Sequence, residues 1–229
     1  MNKLSVSLTK VESIFGWIYL PFQLILLPAI LSVVNAALGY PLTSAGINLV
    51  FFCVNFIFVT AFFCRYLWKS AKIVFAKPLN FLFATLAGFA AYWIFSTVIG
   101  YLIEILQPSY LNYNDGAISN MAKSSFTLIA IGTVILAPVV EEILYRGLLF
   151  GTLYNYSRVA AYMISSFVFS AIHILGYIGY YDPFSLFLSF LQYLPAGLCL
   201  GWAYAKANSI WSPILIHIFI NLIGIFALR

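Results

Sequence analysis

The stretch from Phe126 to Leu153, FTLIAIGTVILAPVVEEILYRGLLFGTL, is long enough to cross a bilayer yet carries Glu141, Glu142 and Arg146 within it. About 20 apolar residues cross the roughly 30 Å hydrocarbon layer as a helix, so the run reads as a transmembrane segment. Each central charge costs about 2.5–3.5 kcal/mol on insertion scales, whereas a Leu, Ile or Val returns only about 0.3–0.6 kcal/mol. Three charges cancel most of the run's own drive to insert. The helix therefore needs partners inside a bundle.

Further apolar windows lie at Phe15 to Leu38, Ala45 to Tyr66, Leu79 to Leu106, Val159 to Tyr177, Phe184 to Ala205 and Ile210 to Leu228. Lipid offers the backbone no hydrogen-bond partners, and no window alternates with period two as a barrel strand does. The expected fold is all-α: a polytopic α-helical integral membrane protein of about seven, or eight, transmembrane helices around a buried midplane site. Composition points the same way. Of 229 residues 64% are hydrophobic and 7% charged, against roughly a quarter charged in a soluble domain. This excludes a soluble enzyme and leaves 1–229 as a single membrane domain, with 125–229 as the expected catalytic core and 1–124 as accessory helices. A net charge of +5 is scattered between apolar runs and forms no basic stripe, so the expected partner is the lipid bilayer and no nucleic acid. Cys53, Cys64 and Cys199 form no C-x-x-C pair and read as small hydrophobes.

The first apolar run follows Lys3, Lys10 and Glu12 but is too long for a cleaved signal, and the end Phe226-Ala227-Leu228-Arg229 shows no lipidation motif. Lys3, Lys10, Arg65, Lys69, Lys72, Lys77, Arg158 and Lys206 fall on one side of the expected spans, against Lys123 and Arg229 on the other. The positive-inside rule then puts the amino end inside and the carboxyl end outside. Trp17, Tyr177, Tyr180, Tyr181 and Trp211 fit an interfacial aromatic belt without chemistry. The long connection from Gln107-Pro108-Ser109 to Ser125 reads as an outer loop or lid, with Asn112, Asn114, Asp115 and Gly116 as turn formers.

Spacing divides the buried polar residues. Glu142 and Arg146 stand four apart and can pair along one helix, while Glu141 is rotated about 100° away and is the freer carboxylate. Pro138 lacks an N–H, so a kink one turn before Glu141 is expected to open space for water or substrate. The histidines of the chain number two, His173 and His217, and Asn221 lies four residues after His217 on the same face. Taken alone, these residues could merely tie helices together. At about 1.5 Å per residue, Glu141 and His173 lie ~22 Å and His217 ~14 Å into their spans, all within about 8 Å of the midplane. Convergence of a carboxylate, two imidazoles and a carboxamide suits hydrolysis of an amide. Glu141 with His173 forms a general-base pair, and His217 with Asn221 donates to the oxyanion. Ser166, Ser170 and Ser212 remain possible accessory donors.

Glu141-Glu142-x-x-x-Arg146, Phe169-x-x-x-His173 and His217-x-x-x-Asn221, in that order, resemble the CAAX protease and bacteriocin-processing family of intramembrane proteases, also called the Abi family. Pro195-Ala-Gly197-Leu-Cys-Leu-Gly201-Trp and Asn208-Ser209-Ile-Trp211-Ser-Pro213 resemble that family's text before its last motif, so the likeness runs from about Ile131 to Gly224. The resemblance implies a fold of about eight helices in a bacterial cytoplasmic membrane and an intramembrane endopeptidase acting on a membrane-associated or lipid-modified protein or peptide. It makes Glu141, His173, His217 and Asn221 catalytic, with Glu142 and Arg146 shaping the site. Prenylated carboxyl ends, leader-bearing precursors and membrane-anchored regulators are the substrate classes it offers. It leaves the cofactor open between none and a single divalent metal such as zinc held by Glu141, His173 and His217. The residues also allow a non-proteolytic immunity or scaffold protein, and an ion-coupled transporter in which Glu and His relay protons. Gly197 and Gly201 can pack helices within one chain or between chains, which leaves the oligomeric state open.

Overall fold

A computed structural model describes residues 4–39, 41–108 and 110–227; Lys3, Ser109, Leu228 and Arg229, which enter the expectations above, lie outside them. Among the described residues there are eight helices and no strand. They are α1 (Lys10–Ala37), α2 (Ser44–Phe62), α3 (Cys64–Ala76), α4 (Pro78–Leu106), α5 (Tyr113–Tyr154), α6 (Arg158–Leu175), α7 (Pro183–Ala207) and α8 (Trp211–Ala227). Six of them, α1, α2 and α4 to α7, are long and apolar enough to span a membrane. The all-α polytopic architecture is thus as expected. α8 is the 17-residue counterpart of the last apolar window.

The helix absent from the apolar windows is α3. Its buried side, Tyr66 and Ser70, packs inward while Arg65, Lys69 and Lys72 are exposed. This two-sidedness keeps it from reading as a span. It is fastened by other helices' side chains. The Glu12 carboxylate accepts from the Tyr66 N–H (3.2 Å) at its first turn, where helical N–H groups lack partners. Ser70 Oγ accepts from the Ile210 N–H (2.7 Å) and lies 3.0 Å from Ser209 Oγ, joining α3 to the α7–α8 turn.

That turn also meets the amino-terminal segment, since the Ser5 N–H donates to Asn208 Oδ1 (2.9 Å) and Asn208 Nδ2 donates to Ser5 Oγ. Asn208 has φ +56° and ends α7 in the left-handed conformation that Asn tolerates. The amino end, α3 and the α7–α8 turn therefore share one end of the bundle. The opposite end joins Gln107 to Ser185 (3.3 Å) and Tyr110 to Ser189 (2.6 Å).

There the expected outer loop is in fact helical from Tyr113 onward. Asn112 Oδ1 accepts from the N–H groups of Asn114 (3.0 Å) and Asp115 (3.2 Å), so the supposed turn formers are a helix cap and its first turn. α5 has 42 residues, more than a bilayer needs, and departs from helical geometry at Ser125 (φ −156°, ψ 69°). Residues 113–124 form an arm beyond that break. Around Pro138, where a kink is expected, π-helical turns over Ala130–Leu136 and Glu142–Phe150 flank the α-helical Ala137–Glu141. Such turns appear often at functional sites.

α5 is the core. Every residue from Glu142 to Phe150 is buried, packed mainly against α1, α6 and α7, while α2 and α8 enclose residues 130–141 of the same helix and α4 covers α7 and α8. Large exposed apolar side chains such as Ile14, Val33, Leu86, Ile94 and Phe167 lie on the outer helix faces, as a lipid-facing surface requires. Gly197 and Gly201 serve contacts inside the chain. A Cβ on Gly197 would stand 2.8 Å from Ser166 Cα, and one on Gly201 3.0 Å from the Phe150 ring.

Gly197→Ala forces α6 and α7 apart, because the obstacle is backbone, and is expected to destabilise the fold by about 1–3 kcal/mol. Gly201→Ala meets only a side chain and should cost less. Thermal unfolding of the detergent-purified variants checks both, and equal midpoints for Gly197→Ala and the parent would refute the close contact.

Candidate active site

The chain brings Glu141, Glu142 and Arg146 from α5, His173 from α6 and His217 from α8 to one place. Arg146 is fully buried, as is Glu142, and its Nη1 donates to Glu142 Oε1 at 3.0 Å across one helical turn. Nη2 donates to the Ala196 carbonyl of α7 at 3.1 Å, and the guanidinium carbon sits 4.0 Å from the centre of the Phe169 ring on α6. The expected Glu142–Arg146 pair forms. What spacing within α5 could not disclose is its third member: His217 Nδ1 lies 2.8 Å from the same Glu142 oxygen, 75 residues away in sequence.

Hydrogen-bond roles follow from the partners. Glu142 as a carboxylate only accepts, so His217 Nδ1 carries a proton and Nε2 is the acceptor of the neutral ring. His173 is oriented in the same manner, because its Nδ1 is 2.7 Å from the Phe169 carbonyl, which also only accepts. Both rings therefore turn an Nε2 lone pair away from their anchors. Glu141 Oε2 lies 3.9 Å from Nε2 of His173 and 4.0 Å from Nε2 of His217. These separations exceed a direct hydrogen bond. Glu141 Oε2 is buried and has no hydrogen-bond partner within the protein.

Asn221 is on the same face of α8 but faces a different neighbour. Its Nδ2 donates to the Thr133 carbonyl of α5 at 2.8 Å, where the π-helical turns run. It nevertheless lines a cavity of about 530 Å³ together with Glu141, His173 and His217. The cavity continues past Gln192 and Tyr193 of α7 to Asn114 and Asp115 of the arm. Tyr177, expected to be a belt residue without chemistry, lines it too. Ser166 and Ser170 are buried in α6 without hydrogen-bond partners for their hydroxyl oxygens, and neither lines the cavity. Ser212 Oγ pairs with Thr85 Oγ1 at 2.9 Å, linking α8 to α4.

The donor types suit a metal ion, with two anchored imidazoles and a carboxylate. The spacing does not. Among the described residues no group of three or more His, Cys, Asp or Glu side chains is placed to hold one. Separations of 3.9 and 4.0 Å are wider than the roughly 3.3 Å edge between ligands of a tetrahedral zinc.

The segment of the chain that carries this site is similar to known proteins. Residues 123–223 match the family model described as type II CAAX prenyl endopeptidase Rce1-like. "UPF0177 protein YxdF" of Lactococcus lactis is 33% identical over 95 residues, which is 42% of this chain and 47% of that protein. "Putative membrane peptidase YdiL" of Bacillus subtilis is 30% identical over 95 residues, 41% of this chain and 34% of that protein. The match thus spans less than half the length of either relative. No solved structure matches significantly. The family resemblance carried by the three motifs is borne out over this segment.

Glu142→Ala leaves the Arg146 charge buried without its carboxylate, a loss of about 3–5 kcal/mol. Little folded protein should accumulate in membranes, whereas Glu142→Gln, which keeps an acceptor, should accumulate at an intermediate level. Quantifying folded protein by size-exclusion chromatography in detergent tests this order. Parental yield from Glu142→Ala would contradict it.

Proposed function

We propose that the protein is an intramembrane endopeptidase that hydrolyses a peptide bond of a membrane-associated or lipid-modified protein or peptide. The observation that carries the reading is the buried, unpartnered Oε2 of Glu141 facing Nε2 of both histidines at the inner end of the cavity. A water about 2.8 Å from both Glu141 Oε2 and His173 Nε2 is compatible with their 3.9 Å separation. It would donate one proton to Glu141 and the other to His173 Nε2.

In the reaction the water oxygen attacks the peptide carbonyl carbon and its proton passes to Glu141. Glu141 then delivers the proton to the leaving nitrogen as the C–N bond breaks, giving a carboxyl group and an amine. His217 is the oxyanion partner: when its Nε2 holds a proton, Glu142 on Nδ1 complements the charge of the ring. Asn221 uses one N–H for Thr133 and has a second to offer the oxyanion. Glu142 and Arg146 orient His217 without touching substrate. No step passes through a metal, since the spacing of the three candidate ligands does not fit one.

Lys10, Arg65, Lys69, Lys72, Lys77, Arg158 and Lys206 belong to the bundle end shared by α3 and the α7–α8 turn, which we assign to the cytoplasmic side. The cavity then opens toward the outer side of a bacterial cytoplasmic membrane, beneath the arm.

Glu141→Gln and Glu141→Ala should each lower cleavage of a membrane-peptide library in liposomes by about a thousandfold or more while accumulating like the parent. Cleavage by the parent should persist in chelator. Undiminished cleavage by either variant would remove Glu141 from the chemistry, and function retained without any cleavage would favour an immunity or scaffold role.

A further inference from the structure

Tyr193 of α7 carries no signal in the sequence, yet its ring lies face to face with the His173 imidazole, with centroids 4.2 Å apart and planes 24° from parallel. The Nδ1 bond to the Phe169 carbonyl fixes one direction of that imidazole but leaves rotation about the bond. An aromatic face against the ring removes this freedom, and offset stacking is itself worth about 0.5–1.5 kcal/mol. The tyrosine is held in turn. Its hydroxyl accepts from Asn114 Nδ2 at 3.0 Å and donates to Asp115 Oδ1 at 3.1 Å. Asn112 Oδ1, the cap of the arm, stands 3.4 Å away.

We propose that Tyr193 is a positioning residue, which keeps Nε2 of His173 turned toward Glu141, and that its own place is set by the first turn of the arm. The inference rests on the reading of His173 as part of the water-activating pair. It gives the cavity a continuous path from the arm at its outer end to the reacting centre: Asp115 to Tyr193 hydroxyl, Tyr193 ring to imidazole, imidazole to the water between Nε2 and Glu141. Asn114, Asp115, Tyr193 and His173 all line the cavity in which a peptide segment would lie.

A chain with two histidines makes the test direct. The full chain, labelled in histidine and placed in lipid nanodiscs, gives two sets of imidazole resonances, and His173→Gln identifies which is which. Tyr193→Leu removes the stacked face, whereas Tyr193→Phe keeps it and removes the hydroxyl clamp. The His173 resonances should shift strongly in the Leu variant and slightly in the Phe variant, with those of His217 unmoved. In the cleavage assay kcat should fall about ten- to a hundredfold for Leu and within about threefold for Phe, with KM changed less than about threefold in both.

His173 resonances identical in the Leu variant and the parent would overturn the proposal, as would equal losses in the Leu and Phe variants. The parent offers a check that needs no variant: proton contacts between the His173 and Tyr193 rings must appear, and their absence overturns the stack. The resonances do not depend on cleavage. A chain that shows the ring contacts and cleaves nothing refutes the protease reading alone, and a chain that cleaves without the contacts refutes the positioning alone.

Discussion

One carboxylate oxygen, Oε1 of Glu142, accepts from both Arg146 at 3.0 Å and His217 at 2.8 Å, and the rest of the structure is arranged so that it can. In a low-dielectric interior neither the carboxylate nor the guanidinium is tolerated alone. Together with His217, the Ala196 carbonyl and the Phe169 ring they form a set drawn from α5, α6, α7 and α8, in which Glu142 Oε2 and Arg146 Nε keep no hydrogen-bond partner. Buried pairs of this sort add little net stability over an apolar core, but removing one partner is severe, so they dictate which helices meet and in what register. Packing of the four helices, the direction of the His217 ring and the depth of Glu141 are consequences of the same requirement.

The two neighbouring glutamates divide the work through environment. Glu142 holds a cation and an imidazole on Oε1 and is fully buried, away from the cavity; Glu141, one residue earlier, meets neither at hydrogen-bond distance and lines the cavity with an unpartnered Oε2. Their difference follows from the helical step between them, which sets consecutive side chains about 100° apart. That rotation sends one into the interhelical seam and the other to the cavity.

Much of the fold was legible because span length and apolar content are written directly in the chain, and all seven windows correspond to helices. The eighth, α3, escaped notice because it is short, carries Arg65, Lys69 and Lys72, and owes its place to Glu12, Ser209 and Ile210 from distant segments. The arm reads as a loop for a chemical reason: Asn and Asp favour both turns and helix caps, and only the N–H groups they meet decide between them. Within the site, the Glu142–Arg146 pair follows from a four-residue spacing. The bond from His217 to Glu142 does not, and the same holds for the stack of Tyr193 on His173, since an aromatic in an apolar window has many bland uses.

Arg146 grips α7 through main-chain oxygen, the Ala196 carbonyl, and not through any side chain. Every residue type presents that same acceptor, so the bond imposes no chemical identity on α7; volume alone is restricted there, by the approach of Gly197 to Ser166. For a genetic screen this has a specific meaning. Second-site suppressors of a lesion at Arg146 should concentrate at Glu142 or along the α6–α8 lining, while Ala196 and Gly197 of α7 change only among small residues.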